Sequence, residues 1–196
     1  MSNNKIAYKY FKGWDGFEKE GYDEFTYTEA CEKYKNRKPI FIVAQKENED
    51  KPFAFINSDG TFSLYINFLN SNLDRERELL YQTLTNIDKN RIFLIKNIIR
   101  TFDYGNNNLM NNIFTVDTYS FAYCDPKKMG VFHWIIRDDD KIECINYNGI
   151  TKSREKSILN KTVSQKDLWE DIPEFGNWDY FLRDDINRIK FEEIKE

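Results

Sequence analysis

The residues able to carry chemistry in this 196-residue chain are few and widely spaced. His133 is the single histidine, and Cys31, Cys124 and Cys144 lack the CxxC spacing of a redox or zinc motif. Zinc enzymes, Cys–His nucleophiles and Ser–His–Asp hydrolases each need imidazole or thiol groups at defined places. These enzyme classes are therefore disfavoured. We expect three reduced thiols and no metal or other cofactor.

His133 lies in an aromatic and aliphatic run, residues 131–136, that predicts a β-strand. Alternation along a strand places its imidazole on the face opposite Phe132, Trp134 and Ile136. We interpret His133 as a half-buried strand residue. The alternative is a general base or an imidazole that contacts a partner.

Three consecutive acids, Asp138–Asp140, suggest a Mg²⁺ or Ca²⁺ site at first sight. An EF-hand loop needs alternately spaced ligands, a central glycine and a terminal glutamate, and this segment has none of them. Because the acids stand between two predicted strands, we interpret them as a solvated hairpin turn. A small hydrolase that uses carboxylates near Asp138–Asp140 together with His133 is the alternative function.

The overall charge disfavours nucleic-acid binding. The formal net charge is −4 and no glycine-rich phosphate-binding motif occurs. The acidic residues are unevenly placed, since Asp167–Glu196 holds ten acidic and four basic residues. A second acidic stretch, Gly13–Glu32, alternates carboxylates with aromatic side chains. Both stretches therefore predict acidic surfaces that contain aromatic residues.

These two stretches supply the candidate partner-binding residues. Interfaces favour tryptophan and tyrosine as anchors, while complementary charge steers encounter and selects partners. The alternative is a pair of amphipathic segments with aromatics inward and acids in solvent, and the aromatic content of 16% could equally reflect A/T-rich codons. The candidates are Trp14, Asp15, Tyr22, Glu24, Trp169, Glu170, Asp171, Glu174, Trp178 and Asp179.

Alternating or continuous apolar patterns predict most of the strands. Thr61–Phe68 alternates without error and follows a turn signal at Asn57–Gly60, so it should pair with Pro52–Asn57 as a hairpin. Further strands are predicted at Pro39–Ala44, Ile113–Tyr123, Val131–Arg137 and Lys141–Tyr147, the last two joined as a hairpin.

Helical spacing predicts the other elements. Thr28 can cap a short helix that carries Glu29 and Glu32, and Leu73–Thr85 has apolar residues at helical spacing. Arg91–Phe102 fits a helix better than a strand, although both remain open. Ser164–Asp167 can cap a short helix through Leu168, Trp169 and Ile172. Another short helix is expected from Trp178 to Leu182.

Strand-rich stretches separated by helices, without a βαβ rhythm, predict an α+β fold. We expect a mainly antiparallel sheet with several helices packed on it, in a single domain spanning 1–196. An acidic helical subdomain at 164–196 is an alternative division. No signal peptide and no run of about 18 apolar residues occurs, so a cytoplasmic location is expected.

A small, acidic, single-domain α+β protein with acidic aromatic segments resembles the immunity proteins of bacterial interbacterial toxin systems. The resemblance implies a non-catalytic protein that binds a cognate toxin, often a nuclease, and occludes its active site. It implies a protein partner, no direct contact with nucleic acid or membrane, and no cofactor. A phage or mobile-element accessory protein that binds a host factor is an alternative with the same physical basis.

Overall fold

The structure is a computed structural model that describes most of the chain. The described residues are 5–59, 63–102, 113–122, 130–136, 142–146, 161–163, 168–183 and 191–193. Asp138–Asp140 and the predicted helix-capping residues Ser164–Asp167 lie outside them.

The described residues form one helix and thirteen strands. These are β1 (Ile6–Asp15), β2 (Glu20–Phe25), α1 (Tyr27–Lys35), β3 (Ile40–Lys46), β4 (Pro52–Ser58), β5 (Leu64–Leu69), β6 (Arg75–Leu84), β7 (Asp88–Phe102), β8 (Ile113–Ala122), β9 (Gly130–Ile136), β10 (Ile142–Asn146), β11 (Lys161–Val163), β12 (Trp169–Asp171) and β13 (Phe191–Glu193).

Eleven of the strands make one antiparallel sheet. Its order is β10-β9-β8-β7-β6-β5-β4-β3-β1-β2, with β12 added beside β7, while β11 and β13 pair separately. Sequential strands are neighbours from β3 to β10, so the sheet is a long meander. The predicted α+β class with several helices packed on a sheet is wrong, because the chain is mostly antiparallel strand and the described part holds a single helix.

The predicted helix at Leu73–Thr85 is wrong, since this segment forms β6. Leu79 and Tyr81 are buried on one face of β6, and Leu73 adopts a left-handed φ of 61° in the turn before it. For Arg91–Phe102 the strand alternative is correct, as part of β7. Pairing of β6 with β5 and β7 satisfies its backbone on both sides, and this tertiary pairing overrides a helical spacing of leucines.

The strands predicted from alternating or continuous apolar runs are confirmed. The β4–β5 hairpin forms, β3 lies between β1 and β4, and β8, β9 and β10 are consecutive neighbours. His133 lies in β9, opposite Tyr119 of β8 and Ile145 of β10.

The N-cap of the first helix lies two residues before the predicted cap at Thr28. Thr26 is the N-cap: its hydroxyl accepts from the Glu29 N–H at 3.3 Å, and the Glu29 carboxylate accepts from the Thr26 N–H at 2.8 Å. This reciprocal capping box satisfies two backbone donors of the first turn. The Thr26 hydroxyl also donates to the Glu29 carboxylate at 2.7 Å, and this bond together with the bond from the Thr26 N–H lowers the pKa of Glu29, because both favour the ionised form.

Residues 168–183, which we name the C-terminal strap, contact two strands that are not neighbours in the sheet. The Ile172 N–H donates to Asn90 O of β7 at 3.3 Å, and the Phe175 ring lies 5.2 Å from the Tyr10 ring of β1. Four strands lie between β7 and β1 in the order of the sheet. The strap therefore connects β7 to β1 across the sheet.

The strap contributes large side chains to the main hydrophobic core. Trp178 is 0% exposed, and Phe181 and Leu182 are also buried. The Trp178 ring lies 5.4 Å from that of Tyr34 on α1, and the Phe181 ring lies 5.6 Å from that of Tyr81 on β6. Apolar packing on both sides of the strap therefore joins the helix to the sheet.

The two short helices predicted in this region are wrong. Trp169 begins β12 and pairs with Phe93, and Trp178–Leu182 forms turns in which the Phe181 N–H donates to Trp178 O at 3.0 Å. The domain division stays a prediction, because residues 164–167 and 184–190 lie outside the described part.

The burial of Trp178 predicts a large loss of stability on truncation. Trp178→Ala should lower the free energy of unfolding by about 3–5 kcal/mol, because it leaves a cavity where the strap meets α1. Asn177→Ala is the matched control, since Asn177 is exposed in the same segment and should cost less than about 0.5 kcal/mol. Urea denaturation measures the free energy of unfolding of both variants. The transition is monitored by far-ultraviolet circular dichroism, because a fluorescence signal would change with the loss of the indole. Equal losses in the two variants would show that the strap is peripheral.

Candidate protein-binding surfaces

The ten candidate partner-binding residues fall on two surfaces. Trp14, Asp15, Tyr22 and Glu24 belong to the β1–β2 hairpin, and the other six belong to the C-terminal strap. The strap contacts β1 at Tyr10, five residues before the end of the strand. At about 3.3 Å per residue, this places Asp15 about 17 Å from Tyr10, whereas Glu24 pairs with Phe11, next to Tyr10. The turn end of the hairpin is therefore distant from the strap contact, and Glu24 is the hairpin candidate that lies nearest to it.

The turn of the hairpin is held by one carboxylate. Asp15 Oδ1 accepts from the Phe17 N–H at 2.8 Å and from the Glu18 N–H at 3.0 Å. These donors lower the pKa of Asp15, because they favour its ionised form. Lys19 then takes the left-handed conformation, with φ 58°, that returns the chain into β2.

A second contact fixes the hairpin to the rest of the molecule. Lys19 Nζ donates to Asp74 Oδ1 at 2.8 Å and to Asn72 O at 2.7 Å, in the turn between β5 and β6. That turn is itself ordered by Asn70, whose side-chain oxygen accepts from the N–H groups of Asn72 and Asp74. The Lys19 ion pair is partly buried, so water screens it less than a fully exposed pair.

Aromatic packing supports the hairpin from below. The half-buried Trp14 ring stacks on Phe55 of β4, with 4.9 Å between the ring centres. A Cβ atom on Gly13 would lie 2.2 Å from the Tyr22 hydroxyl oxygen, so the Tyr22 ring occupies the space that this glycine leaves. Tyr22 is 49% exposed while its other side covers the backbone of β1.

Phe17 is the most exposed large apolar side chain of the described residues, at 90%. It was not among the predicted site residues, although it lies between Gly16 and Glu18 in the acidic stretch. Only a position inside a hairpin turn could have indicated that Phe17 is exposed, and the sequence alone does not locate this turn.

Glu24, one of the predicted partner-binding residues, is exposed on β2.

The two tryptophan side chains of the strap are buried or half-buried. Trp178 is fully buried in the core, so a partner cannot contact it in this conformation. Trp169 is half-buried: its ring packs edge-on against Phe93 at 5.1 Å, and the Arg91 guanidinium lies 5.6 Å from its centroid. Both indoles therefore support the strap, and its surface chemistry comes from the carboxylates.

Three of those carboxylates border an open depression of about 360 Å³ on the strap. Glu170 accepts from the Tyr180 hydroxyl at 2.6 Å, Asp171 lies 3.6 Å from the Arg91 guanidinium, and Glu174 is exposed. The lining residues are Glu170, Asp171, Ile172, Pro173, Glu174, Asn177, Tyr180 and Phe181. An arrangement of three acids above an apolar floor suits a cationic side chain with an aliphatic stem.

Asp179 lies outside the depression and has a structural contact. It accepts a hydrogen bond from the Tyr8 hydroxyl of β1. Burial raises the pKa of Tyr8, and the bond to the Asp179 carboxylate raises it further. Nearby, the Tyr34 hydroxyl donates to Pro173 O at 2.8 Å, and burial raises the pKa of Tyr34 to about 12. These two tyrosines tie the strap to β1 and α1.

The described part of the chain contains no cluster of three or more histidine, cysteine or carboxylate side chains that could hold a metal ion. Within those same ranges, no helix has the length and apolar character needed to cross a bilayer.

No protein-family model matches this sequence, and no curated protein or solved structure is significantly similar to it.

The lowered pKa of Asp15 predicts a pH-dependent turn. A carboxyl whose pKa is lowered on folding stabilises the fold above its unfolded pKa, about 3.9, and loses that effect as the pH falls through the folded value. The amide resonances of Phe17 and Glu18 should therefore shift together below about pH 4 in an NMR titration. In Asp15→Ala, these two amide resonances should lie at their low-pH positions even at neutral pH. In Glu18→Gln, they should stay at the wild-type positions. Coincident spectra for wild type and Asp15→Ala would contradict this account.

Proposed function

We propose that this chain is a cytoplasmic, non-catalytic binding protein that neutralises a cognate toxin by occluding it, as immunity proteins do. The observation that carries the proposal is the acidic depression of the strap. Glu170, Asp171 and Glu174 border one open concavity. Arg91 lies 3.6 Å from Asp171, and the Arg183 guanidinium lies 5.1 Å from the centre of the Tyr180 ring, so the three acids outnumber the two described cations. The site therefore offers negative charge to a partner.

Charge complementarity identifies the kind of partner surface. Toxins that act on nucleic acids need lysine and arginine side chains around the substrate phosphates, and an acidic protein surface can pair with the same groups. The depression, at about 360 Å³, lies near the lower end of the range for ligand pockets. Its size suits one lysine or arginine side chain inserted from the partner.

The strap is already ordered for this role. The Tyr180 hydroxyl orients Glu170, and the buried side chains of Trp178 and Phe181 hold the segment on the core. A surface that is ordered before binding loses less conformational entropy when the complex forms. In this proposal Asp171 and Glu174 contact the partner, Glu170 orients the site, and Trp169 and Trp178 support it from beneath.

The hydrolase alternative depends on Asp138–Asp140, which lie outside the described residues, so no described contact favours it. An accessory protein that binds a host factor would use the same surface chemistry. The two binding hypotheses differ only in the partner, which the experiment below identifies.

The test uses the product of the gene adjacent to the one that encodes this chain. Its toxicity is measured in a bacterial host with and without co-expression of this chain. With the purified pair, the double variant Asp171→Lys, Glu174→Lys should slow association about tenfold or more at low salt. It should also flatten the dependence of the association rate on ionic strength, since it removes the attractive charge.

The matched control is Asp50→Lys, Glu76→Lys, which makes the same change in net charge at two exposed positions outside the strap. It should change the association rate less than about threefold. Equal effects of the two double variants would show that only net charge matters. No effect of the strap variant, or no protection by the wild-type chain, would contradict the proposal.

A further inference from the structure

Contacts made by the residues before and after Phe17 hold its side chain in solvent. Asp15 caps the turn through the Phe17 and Glu18 amides, and Lys19 ties the following residue to Asp74. The Trp14 ring, stacked on Phe55, fixes the strand that leads into the turn. An ordered turn with a 90% exposed phenylalanine presents apolar surface to water at a fixed position.

We infer that Phe17 is the anchor residue of a second protein-binding surface, which inserts into an apolar pocket of a partner bordered by lysine or arginine. Anchor residues at interfaces are aromatic side chains that fill a pocket and exclude water. A phenylalanine has two rotatable side-chain bonds, so fixing it in a pocket costs little conformational entropy. The pinned turn lowers the entropic cost of binding further.

Charge around the turn specifies the rim of the partner pocket. Between residues 15 and 24 the chain carries five carboxylates and one lysine. Lys19 is paired with Asp74, and Lys12 on β1 pairs with Asp23 at 3.1 Å, so the acidic residues of the hairpin stay in excess. The acidic residues are Asp15, Glu18, Glu20, Asp23 and Glu24. A complementary pocket therefore has a basic rim, while its interior is apolar to accept the ring.

The same charges argue against two other occupants. Two copies of this chain that met through Phe17 would bring two acidic turns together, and like charges at an interface are costly. An anionic membrane surface would repel the turn for the same reason, although an exposed aromatic side chain could enter a bilayer interface. A basic-rimmed protein pocket satisfies both the ring and the carboxylates.

The position of the hairpin in the fold makes this contact accessible. β2 is the terminal strand of the sheet among the described residues, so the turn projects beside an edge. Tyr22, 49% exposed on the same hairpin, can extend the contact along β2. The turn lies beyond Asp15, which is about 17 Å along β1 from the strap contact at Tyr10, and the inference does not rest on the function proposed for the strap.

The first step of the test locates what Phe17 contacts. The photoreactive residue p-benzoylphenylalanine replaces Phe17 in one variant and Ile87 in another, both in the full chain. Ile87 is the control because it is also an exposed apolar residue, at 47%, in the β6–β7 turn. A product with one other protein from position 17 that is absent from position 87 identifies the partner. Cross-linking only between copies of this chain, or to no protein, would overturn the inference.

The second step measures binding to that purified partner. Phe17→Ala should weaken affinity about 30-fold or more, through faster dissociation, and Ile87→Ala should change it less than twofold. Phe17→Leu should recover part of the loss, because it restores apolar volume. The salt dependence of association should be unchanged in Phe17→Ala, which separates this surface from the strap. An effect below about twofold would overturn the inference.

Two further measurements complete the experiment. Phe17→Ala should unfold at the wild-type temperature, because the ring is exposed, and this shows that any loss of affinity comes from the contact itself. Sedimentation with vesicles of phosphatidylglycerol and phosphatidylethanolamine tests the membrane alternative. Vesicle binding that depends on Phe17 would overturn the inference in favour of a lipid surface.

Discussion

The packing of the C-terminal strap against the sheet and the helix is the constraint on which much of this molecule depends. The sheet buries apolar side chains in two clusters, one that contains Ile42 and Ile56 and a smaller one that contains Phe55. Trp178, Phe181 and Leu182 of the strap belong to the larger cluster. Tyr34 contributes from the helix side, with its ring against Trp178 and its hydroxyl on Pro173 O. One segment thereby joins the sheet, the helix and the far end of the chain in a single core.

This packing also decides what the strap can offer to solvent. Its aromatic rings are used inside, so the exposed side is left to Asp171 and Glu174, with Glu170 held by Tyr180. The expected picture, in which tryptophans anchor a partner while neighbouring acids steer it, therefore does not hold for Trp178. The amphipathic alternative describes the strap better: its rings face inward and its acids face water. What remains for recognition is charge around a concavity.

The β1–β2 hairpin differs from the strap because its most exposed ring, Phe17, lies outside the core. Its rigidity comes from backbone hydrogen bonds to Asp15, from the Lys19 contacts with the β5–β6 turn, and from Trp14 on Phe55. Because these interactions hold the turn, Phe17 is not needed for the core. Each surface thus combines acids with a different partner chemistry: a concave acidic site on the strap and a protruding ring on the hairpin. A protein that binds through both would obtain steering from one and a buried apolar contact from the other.

The sequence by itself determined the strands whose apolar residues alternate or run continuously, such as β3, β4, β5 and β9, because burial of a pleated strand leaves a period of two. It also indicated the first helix, although the reciprocal pair of Thr26 and Glu29 specified a start that the Thr28 prediction missed. The acidic character of both surfaces could be predicted, since charge is a property of composition.

Only the tertiary structure decided that Leu73–Thr85 and Arg91–Phe102 are strands. Their leucines and isoleucines also fit a helical spacing, and the choice depends on hydrogen bonds to the neighbouring strands β5 and β8, which the spacing within each segment does not specify. The strap depends on partners that are remote in sequence, since its buried indole packs against Tyr34 of α1. The exposure of Phe17 depends on a turn fixed by Asp74, 57 residues away. The spacing of apolar residues indicates which positions are buried, but it does not indicate which other segment of the chain covers them.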